Sequence, residues 1–320
     1  MTTLNDKIVN SFDELGEILT QHGEHFRAKA YKSASEAVRN IGHDIVDVSQ
    51  LKNVKGLGKT MLEKIIELQQ TGTIQILEKE RKNPMTQLTK VFGIGPKKAK
   101  ELIDKGIDSI EKLKEVPSGT FTANITKGIK YFDDIQERIP RAEIDTYQKK
   151  LQSVFEQLPI NNAQSASSFE IVGSYRRGAE TSGDIDIIFT STDIANFNMF
   201  LDTLIQNGII ADVLTRGKTK SMCIAQLPGQ KYRRMDLLYA PPDEYAFSIL
   251  YFTGSKLFNT IQRHRALQKG YSLNEHALTY VQNKEKVVHK FSTEKDIFDF
   301  LKMKYIKPSE RTNAANVIYL

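Results

Sequence analysis

Apolar residues recur at helical spacing along the first part of the chain, as Ile8, Phe12, Leu15, Ile18 and Leu19 and then as Phe26, Ala30, Ala34, Ala37 and Val38. A repeat every three to four residues lays one apolar stripe along a helix, so residues 8–46 read as two or three packed helices. A further helix is expected near Thr126–Ile139. Pro140 closes that half, and Arg141 leads into another helix. The polar stretch 80–87, ERKNPMTQ, reads as a hinge because of its composition and Pro84. Around residue 185 the period changes to two. Side chains of a strand alternate faces, so Ile185 and Ile187 enter a core while Asp184 and Asp186 share the opposite face. The pattern then predicts a helix over Thr192–Asn207 and strands around Lys220–Leu227 and Tyr232–Tyr239, joined by Pro228-Gly229.

Two carboxylates on one face raise each other's pKa unless a cation lies between them, and hard oxygen ligands suit Mg²⁺ or Mn²⁺. Upstream, Gly173 and Ser174 can offer backbone N–H groups and a hydroxyl to phosphate oxygens, and Arg176 and Arg177 follow at once. Asp236 sits in the apolar run of Met235, Leu237 and Leu238, where a charge needs a partner. That partner is either Arg233 or Arg234, or a metal shared with Asp184 and Asp186; the second alternative makes a triad and is the one carried forward. Three carboxylates suit phosphoryl transfer with two divalent ions about 3.5–4 Å apart.

The N-terminal half contains a repeat. Val54-Lys-Gly-Leu-Gly-Lys and Val91-Phe-Gly-Ile-Gly-Pro-Lys-Lys share an apolar–x–Gly–apolar–Gly turn followed by an amphipathic helix, with Gly56 and Gly93, then Gly58 and Gly95, at matching places. Such a turn aims backbone N–H groups at a phosphate oxygen without reading a base, and Lys59, Lys97 and Lys98 stand where the next phosphate would pass. The repeat resembles the helix-hairpin-helix motif of DNA repair proteins. The resemblance implies a monovalent cation, Na⁺ or K⁺, on the turn carbonyls, here those of Val54 and Leu57 and of Thr89, Val91 and Ile94.

Net charge is +6 over 320 residues. It is balanced within 1–82 and 141–240 and mildly positive in 83–140 and 241–320, so DNA would be held by local patches rather than a basic tail. One cysteine, Cys223, excludes an internal disulfide, and its strand-like surroundings suggest a buried thiol. No apolar run reaches membrane-spanning length and the first residues lack a secretory pattern, so an intracellular chain without membrane contact is expected, its compartment open between nuclear, viral and cytoplasmic.

The stretch GSYRRGAETSGDID closely resembles the signature of family X of the DNA polymerases, in its beta-like form, within the nucleotidyltransferase superfamily. YFTGSKLFN at Tyr251–Asn259 and the C-terminal runs GYSLNEHAL and EKDIFDFLKMKYIKPSER match the same family, so the likeness covers essentially the whole chain. It implies an α+β multidomain fold: a helical lyase-like domain with the first hairpin over 1–82, a DNA-binding subdomain with the second over 83–140, a nucleotidyltransferase palm with a mixed sheet over 141–240, and an α/β thumb-like, nucleotide-selecting subdomain over 241–320. By the same resemblance Asp184 and Asp186 contact two Mg²⁺ ions, and Asp236 binds the catalytic one and acts as general base. Gly173, Ser174, Arg177 and Gly183 meet the triphosphate. Tyr251, Phe252 and Gly254 line the sugar pocket, Asn259 meets the base edge, Arg263 reaches the templating side, and Arg234 and Tyr31 contact DNA.

Lys64 matches the lyase lysine that forms a Schiff base with a 5′-deoxyribose phosphate. That chemistry needs a neutral amine, which positive neighbours such as Lys59, Arg27 and Lys29 would favour. The implied task is gap filling in base excision repair, on gapped or nicked DNA with a 5′-phosphate and with deoxynucleoside triphosphates, by a monomer. A template-independent nucleotidyltransferase shares the signature and triad, but the duplicated hairpin and the fit of Asn259 and Arg263 argue against it. Three intact aspartates argue against a non-catalytic DNA-end scaffold. The chain departs from the pattern at Thr60, Thr126, Leu238 and Lys256, where the family carries a lysine, two arginines and an aspartate. None of these is a proposed metal ligand.

Overall fold

The computed structural model describes residues 3–39, 41, 44–117, 119–160, 166–311 and 317–320. They fall into two units, Met1–Phe132 and Asp133–Leu320.

The first unit is helical. Helix α1 (Leu4–Gln21) starts at a capping box between Thr3 and Asp6, which satisfies two of the N–H groups a helix start leaves free. It packs on α2 (His25–Arg39) through Phe12, Leu15 and Leu19 against Ala28, Ala34 and Val38. After the expected first turn come α3 (Lys59–Thr71), ended by left-handed Gly72, and α4 (Gln75–Arg81). Then follow α5 (Pro84–Leu88), α6 (Pro96–Asp104), α7 (Ile110–Glu115) and α8 (Ala123–Gln136). The expected hinge over 80–87 is mostly helical. Only Lys82 and Asn83 separate α4 from α5, because the Asn83 side chain accepts from the Met85 N–H at 3.0 Å and Pro84 occupies the first helical position, where its missing N–H costs nothing. A second small core gathers Leu88, Val91, Ile94, Ala99, Leu102 and Ile125. Helix α8 lies so close to the second hairpin that a Cβ on Gly128 would stand 2.2 Å from the Phe92 carbonyl oxygen.

In the second unit, β1 (Ile139–Pro140) leads into α9 (Arg141–Gln157), β2 (Ser168–Ile171), the one-turn helix α10 (Gly173–Arg176), β3 (Thr181–Ser182), β4 (Ile185–Thr190), α11 (Ile194–Gln206), β5 (Ile210–Arg216), β6 (Lys220–Gln226) and β7 (Tyr232–Ala240). Strands β1 and β3 pair with each other, and the rest form a five-stranded sheet of order β2-β4-β7-β6-β5. It is mixed: β4 and β7 run parallel and the other neighbours antiparallel. Edge strands β2 and β5 were not expected from the pattern.

Ile185, Ile187, Phe189, Met235 and Leu237 bury one sheet face under α9 and α11, with Tyr147, Phe155, Phe197 and Phe200. Ile188 and Ala240, on the other face, meet Ile249 of α12 (Tyr245–Thr253). Helix α13 (Lys256–Gln268), the hairpin β8 (Tyr271–Leu273) and β9 (Leu278–Tyr280), and α14 (Glu294–Phe300) add a further core around Phe258, Phe298 and Leu301. No helix among the described residues is long and apolar enough to cross a membrane.

Candidate active site

The parallel register of β4 and β7 sets Asp186 directly opposite Asp236, with Ile185 opposite Met235 and Ile187 opposite Leu237. Paired residues share a face, so both aspartates leave the sheet on the side away from α9 and α11. Asp184 stands just before β4, in the turn that feeds it. Burial, then the charges of Asp184 and Asp236, push the Asp186 carboxyl up to about 7, against the pull of Arg234 and Lys220. Burial also raises Asp236, opposed by Arg234 and Lys220. Both shifts come first from burial, which disfavours the charged form, and at Asp186 the neighbouring carboxylates add to it.

Two cations supply part of what is missing. The Arg234 guanidinium pairs with Asp184 through Nη2, and its Nε faces Asp236 Oδ1 at 3.8 Å, beyond hydrogen-bond reach. Neither Nε nor Oδ1 has a hydrogen-bond partner although both are buried. Lys220 Nζ lies 3.4 Å from Asp236 Oδ2. The two readings of Asp236 therefore meet in one place, since it faces both the aspartates and Arg234, whereas Arg233 turns to Glu143 at 2.7 Å. With Arg234 inserted between Asp184 and Asp236, no three acidic, His or Cys side chains among the described residues form a ready metal cage. The donor chemistry nevertheless fits a divalent cation: oxygen ligands, a buried carboxylate oxygen without a partner, and charges raising one another's pKa.

The turn expected to meet phosphate is built against these carboxylates. Gly173 has φ +61°, and a Cβ there would meet Asp186 Oδ2 at 2.7 Å. The Val172 N–H donates to the Asp186 carbonyl at 2.8 Å, fixing the turn to β4. Ser174 Oγ donates to Ser182 Oγ at 2.8 Å, and Gly183 is exposed beside it. Arg177 donates to the Thr253 carbonyl at 2.5 Å; burial lowers its pKa, against the charge of Asp186. Arg176 does not join it. Its guanidinium turns away to Glu170, to Thr253 Oγ1 at 2.8 Å and to Glu294 at 2.9 Å, and Glu294 also takes Arg311, a fully buried arginine, at 2.5 Å. The expectation that Arg176 serves phosphate is thus corrected, since its charge is consumed inside the fold.

Tyr251 and Phe252 lie in the last turn of α12, and Gly254 follows that helix with φ +64°. Asn259 donates to the Tyr251 carbonyl at 2.7 Å, while Arg263 lies 4.9 Å from the Tyr251 ring centroid and 3.7 Å from Glu275. Because Arg177 holds the carbonyl next to Gly254, the residues expected around triphosphate, sugar and base are one connected set.

In the helical unit the two hairpins repeat bond for bond. Leu57 N–H donates to the Val54 carbonyl at 3.1 Å and Ile94 N–H to the Val91 carbonyl at 3.0 Å. Gly56 and Gly93 both have positive φ, and Gly58 and Gly95 cap α3 and α6. Lys59 and Lys97 are exposed, while Lys98 pairs with Glu101 at 3.3 Å. Tyr31 is only 5% exposed and packs edge-on to Phe12, so its ring is not available for stacking on DNA. Its hydroxyl feels the charges of Lys64 and Arg27. Lys64 itself pairs with a carboxylate, Glu67, at 3.0 Å.

Four family models cover most of the chain: a helix-hairpin-helix domain at residues 3–74, the fingers domain of DNA polymerase lambda at 86–136, the DNA polymerase beta palm at 138–242 and the DNA polymerase beta thumb at 248–312. Among curated relatives, DNA polymerase lambda of Rattus norvegicus is 31% identical over 97% of this chain and 56% of its own length. DNA polymerase lambda of Arabidopsis thaliana is 33% identical over 96% of this chain and 62% of its own. The chain therefore spans less than two thirds of the length of these relatives.

Proposed function

We infer, from the premise that this chain belongs to the family X DNA polymerases whose domains it carries in order, that it is a DNA-directed polymerase adding deoxynucleotides into short gaps. The observation that carries the reading is the registered pair Asp186 and Asp236, with Asp184 at the head of β4, Gly173 pressed against Asp186 and an unpartnered buried oxygen on Asp236. In this reading the lyase-like, DNA-binding, palm and thumb-like parts follow one another over 1–82, 83–140, 141–240 and 241–320. The substrates are gapped or nicked DNA and deoxynucleoside triphosphates inside the cell.

Asp184, Asp186 and Asp236 would hold divalent metal, Mg²⁺ or Mn²⁺. When bound, such ions supply Lewis-acid stabilisation of the triphosphate and acidify the attacking 3′-hydroxyl. The protein's share is positioning and charge. Gly173 lets the backbone come close to phosphate, and Ser174 and Arg177 hold the triphosphate in line. Asp236 accepts the proton of the 3′-hydroxyl. Tyr251, Phe252 and Gly254 crowd the sugar, and Asn259 and Arg263 meet the base pair from its minor-groove side. The two hairpins clamp phosphates through turn N–H groups, Lys59 and Lys97, with a monovalent cation on the turn carbonyls. Lys64 carries a 5′-deoxyribose phosphate lyase activity.

Extension of a primer on one-nucleotide-gapped DNA, with and without a template base in the gap, tests this reading. Addition of the complementary nucleotide alone supports it. Equal addition without a template base, or none at all, overturns it.

A further inference from the structure

The geometry points to Lys220 as a resident counterion of the three aspartates, one that a divalent ion must displace, so that metal loading is an exchange of cations. The inference rests on reading Asp236 as a metal ligand. Strand β6 runs antiparallel to β7 with Met222 opposite Asp236, and Lys220 is two residues from Met222 on the same face. Its Nζ therefore reaches diagonally to Asp236 Oδ2, at 3.4 Å. The two partners differ in freedom. The Asp236 side chain is 6% exposed and fixed within the sheet, while that of Lys220 is 49% exposed and can swing into solvent.

A lysine suits this role better than an arginine, because its ammonium is a compact charge on a flexible stem rather than a planar fork locked by paired hydrogen bonds. Arg234 is already committed to Asp184 through Nη2. The charge of Lys220 also reaches Asp186, where it counters part of the burial that raises that carboxyl. Without metal, removing Lys220 leaves a buried carboxylate short of a partner. With metal, the same lysine is a like charge beside the incoming cation. A merely structural ion pair has the first consequence and not the second.

Lys220→Met, Lys220→Gln and Lys220→Arg, made in the full chain without DNA, separate the two. Melting in EDTA and titration with Mn²⁺, followed calorimetrically near pH 8, are the readouts. Lys220→Met and Lys220→Gln should melt lower in EDTA yet bind Mn²⁺ about three- to tenfold more tightly, the size expected for removing one partly solvated like charge. Lys220→Arg should recover the melting temperature and lose the gain in affinity. Wild-type or weaker Mn²⁺ affinity in both neutral variants overturns the exchange. Asp236→Asn distinguishes the causes of such a failure: if it weakens Mn²⁺ binding, the exchange alone falls, and if it does not, the metal-ligand reading of Asp236 falls first.

Discussion

Replacing Gly173 by alanine should damage the site far more than it damages the fold, and Gly208 supplies the control. Both glycines are left-handed, with φ +61° and +69°, but a Cβ on Gly208 meets nothing within 4 Å whereas one on Gly173 meets Asp186 Oδ2 at 2.7 Å. A non-glycine residue in this region costs about 1–2 kcal/mol, which both variants incur. At Gly173 the Asp186 carboxylate must also leave its rotamer, adding about 0.5–1.5 kcal/mol. For a unit of this size, Gly208→Ala should lower Tm by roughly 2–8 °C and Gly173→Ala by a few degrees more. Activity should separate them completely. A displacement of Asp186 by about 1 Å is worth roughly a hundredfold in rate, so single-turnover nucleotide addition should fall about that much in Gly173→Ala and stay near wild type in Gly208→Ala. Equal activity in the two variants would show that the contact between Gly173 and Asp186 does not hold a reacting group.

The hairpin clamp predicts that DNA affinity falls steeply with salt, and that changing Lys97 and Lys98 to Ala lowers the log–log slope by about one to two units without altering which base is inserted; an unchanged slope in a filter-binding series removes the second hairpin from the interface. Borohydride should trap the protein on DNA bearing a 5′-deoxyribose phosphate, and Lys64→Ala should lose most of the trapping while keeping gap filling. Trapping at the wild-type level in that variant would displace the lyase assignment and leave the polymerase one standing. Because burial and two neighbouring charges raise Asp186 above its unfolded value, the folded metal-free protein holds the proton more tightly than the unfolded chain. This group's contribution to stability is then present at low pH and is lost as pH rises toward about 7. Melting in EDTA should accordingly show less loss between acid and neutral pH in Asp186→Asn than in wild type, and parallel curves would contradict the burial argument.

Much of this was legible in the sequence for physical reasons that act locally. The strand alternation that buries Ile185 and Ile187 needs no knowledge of distant residues, and neither does the repeated glycine turn that folds identically at Gly56 and Gly93. Asp236 was visible because a charge amid Met235, Leu237 and Leu238 demands a partner. What escaped depends on residues far apart in the chain. Arg176 looks like its neighbour Arg177, and only the packing of Glu294, 118 residues later, decides that it serves the fold. Lys220 carried no signal of its own, since its closeness to Asp236 follows from the register of β6 on β7. Strand β2 is four residues long, too short for a period to declare itself. Pro84 suggested a hinge where it instead opens a helix, because proline marks both and only the Asn83 cap distinguishes them.

The most direct test of the central claim is a comparison of wild type and Asp236→Asn on one-nucleotide-gapped DNA, measuring nucleotide addition and DNA affinity in the same samples. Asparagine keeps the size of the side chain in the sheet and removes its charge. The account predicts templated addition of one nucleotide by wild type, loss of addition by at least about a hundredfold in the variant, and DNA affinity unchanged. A variant that fills the gap at the wild-type rate would contradict it.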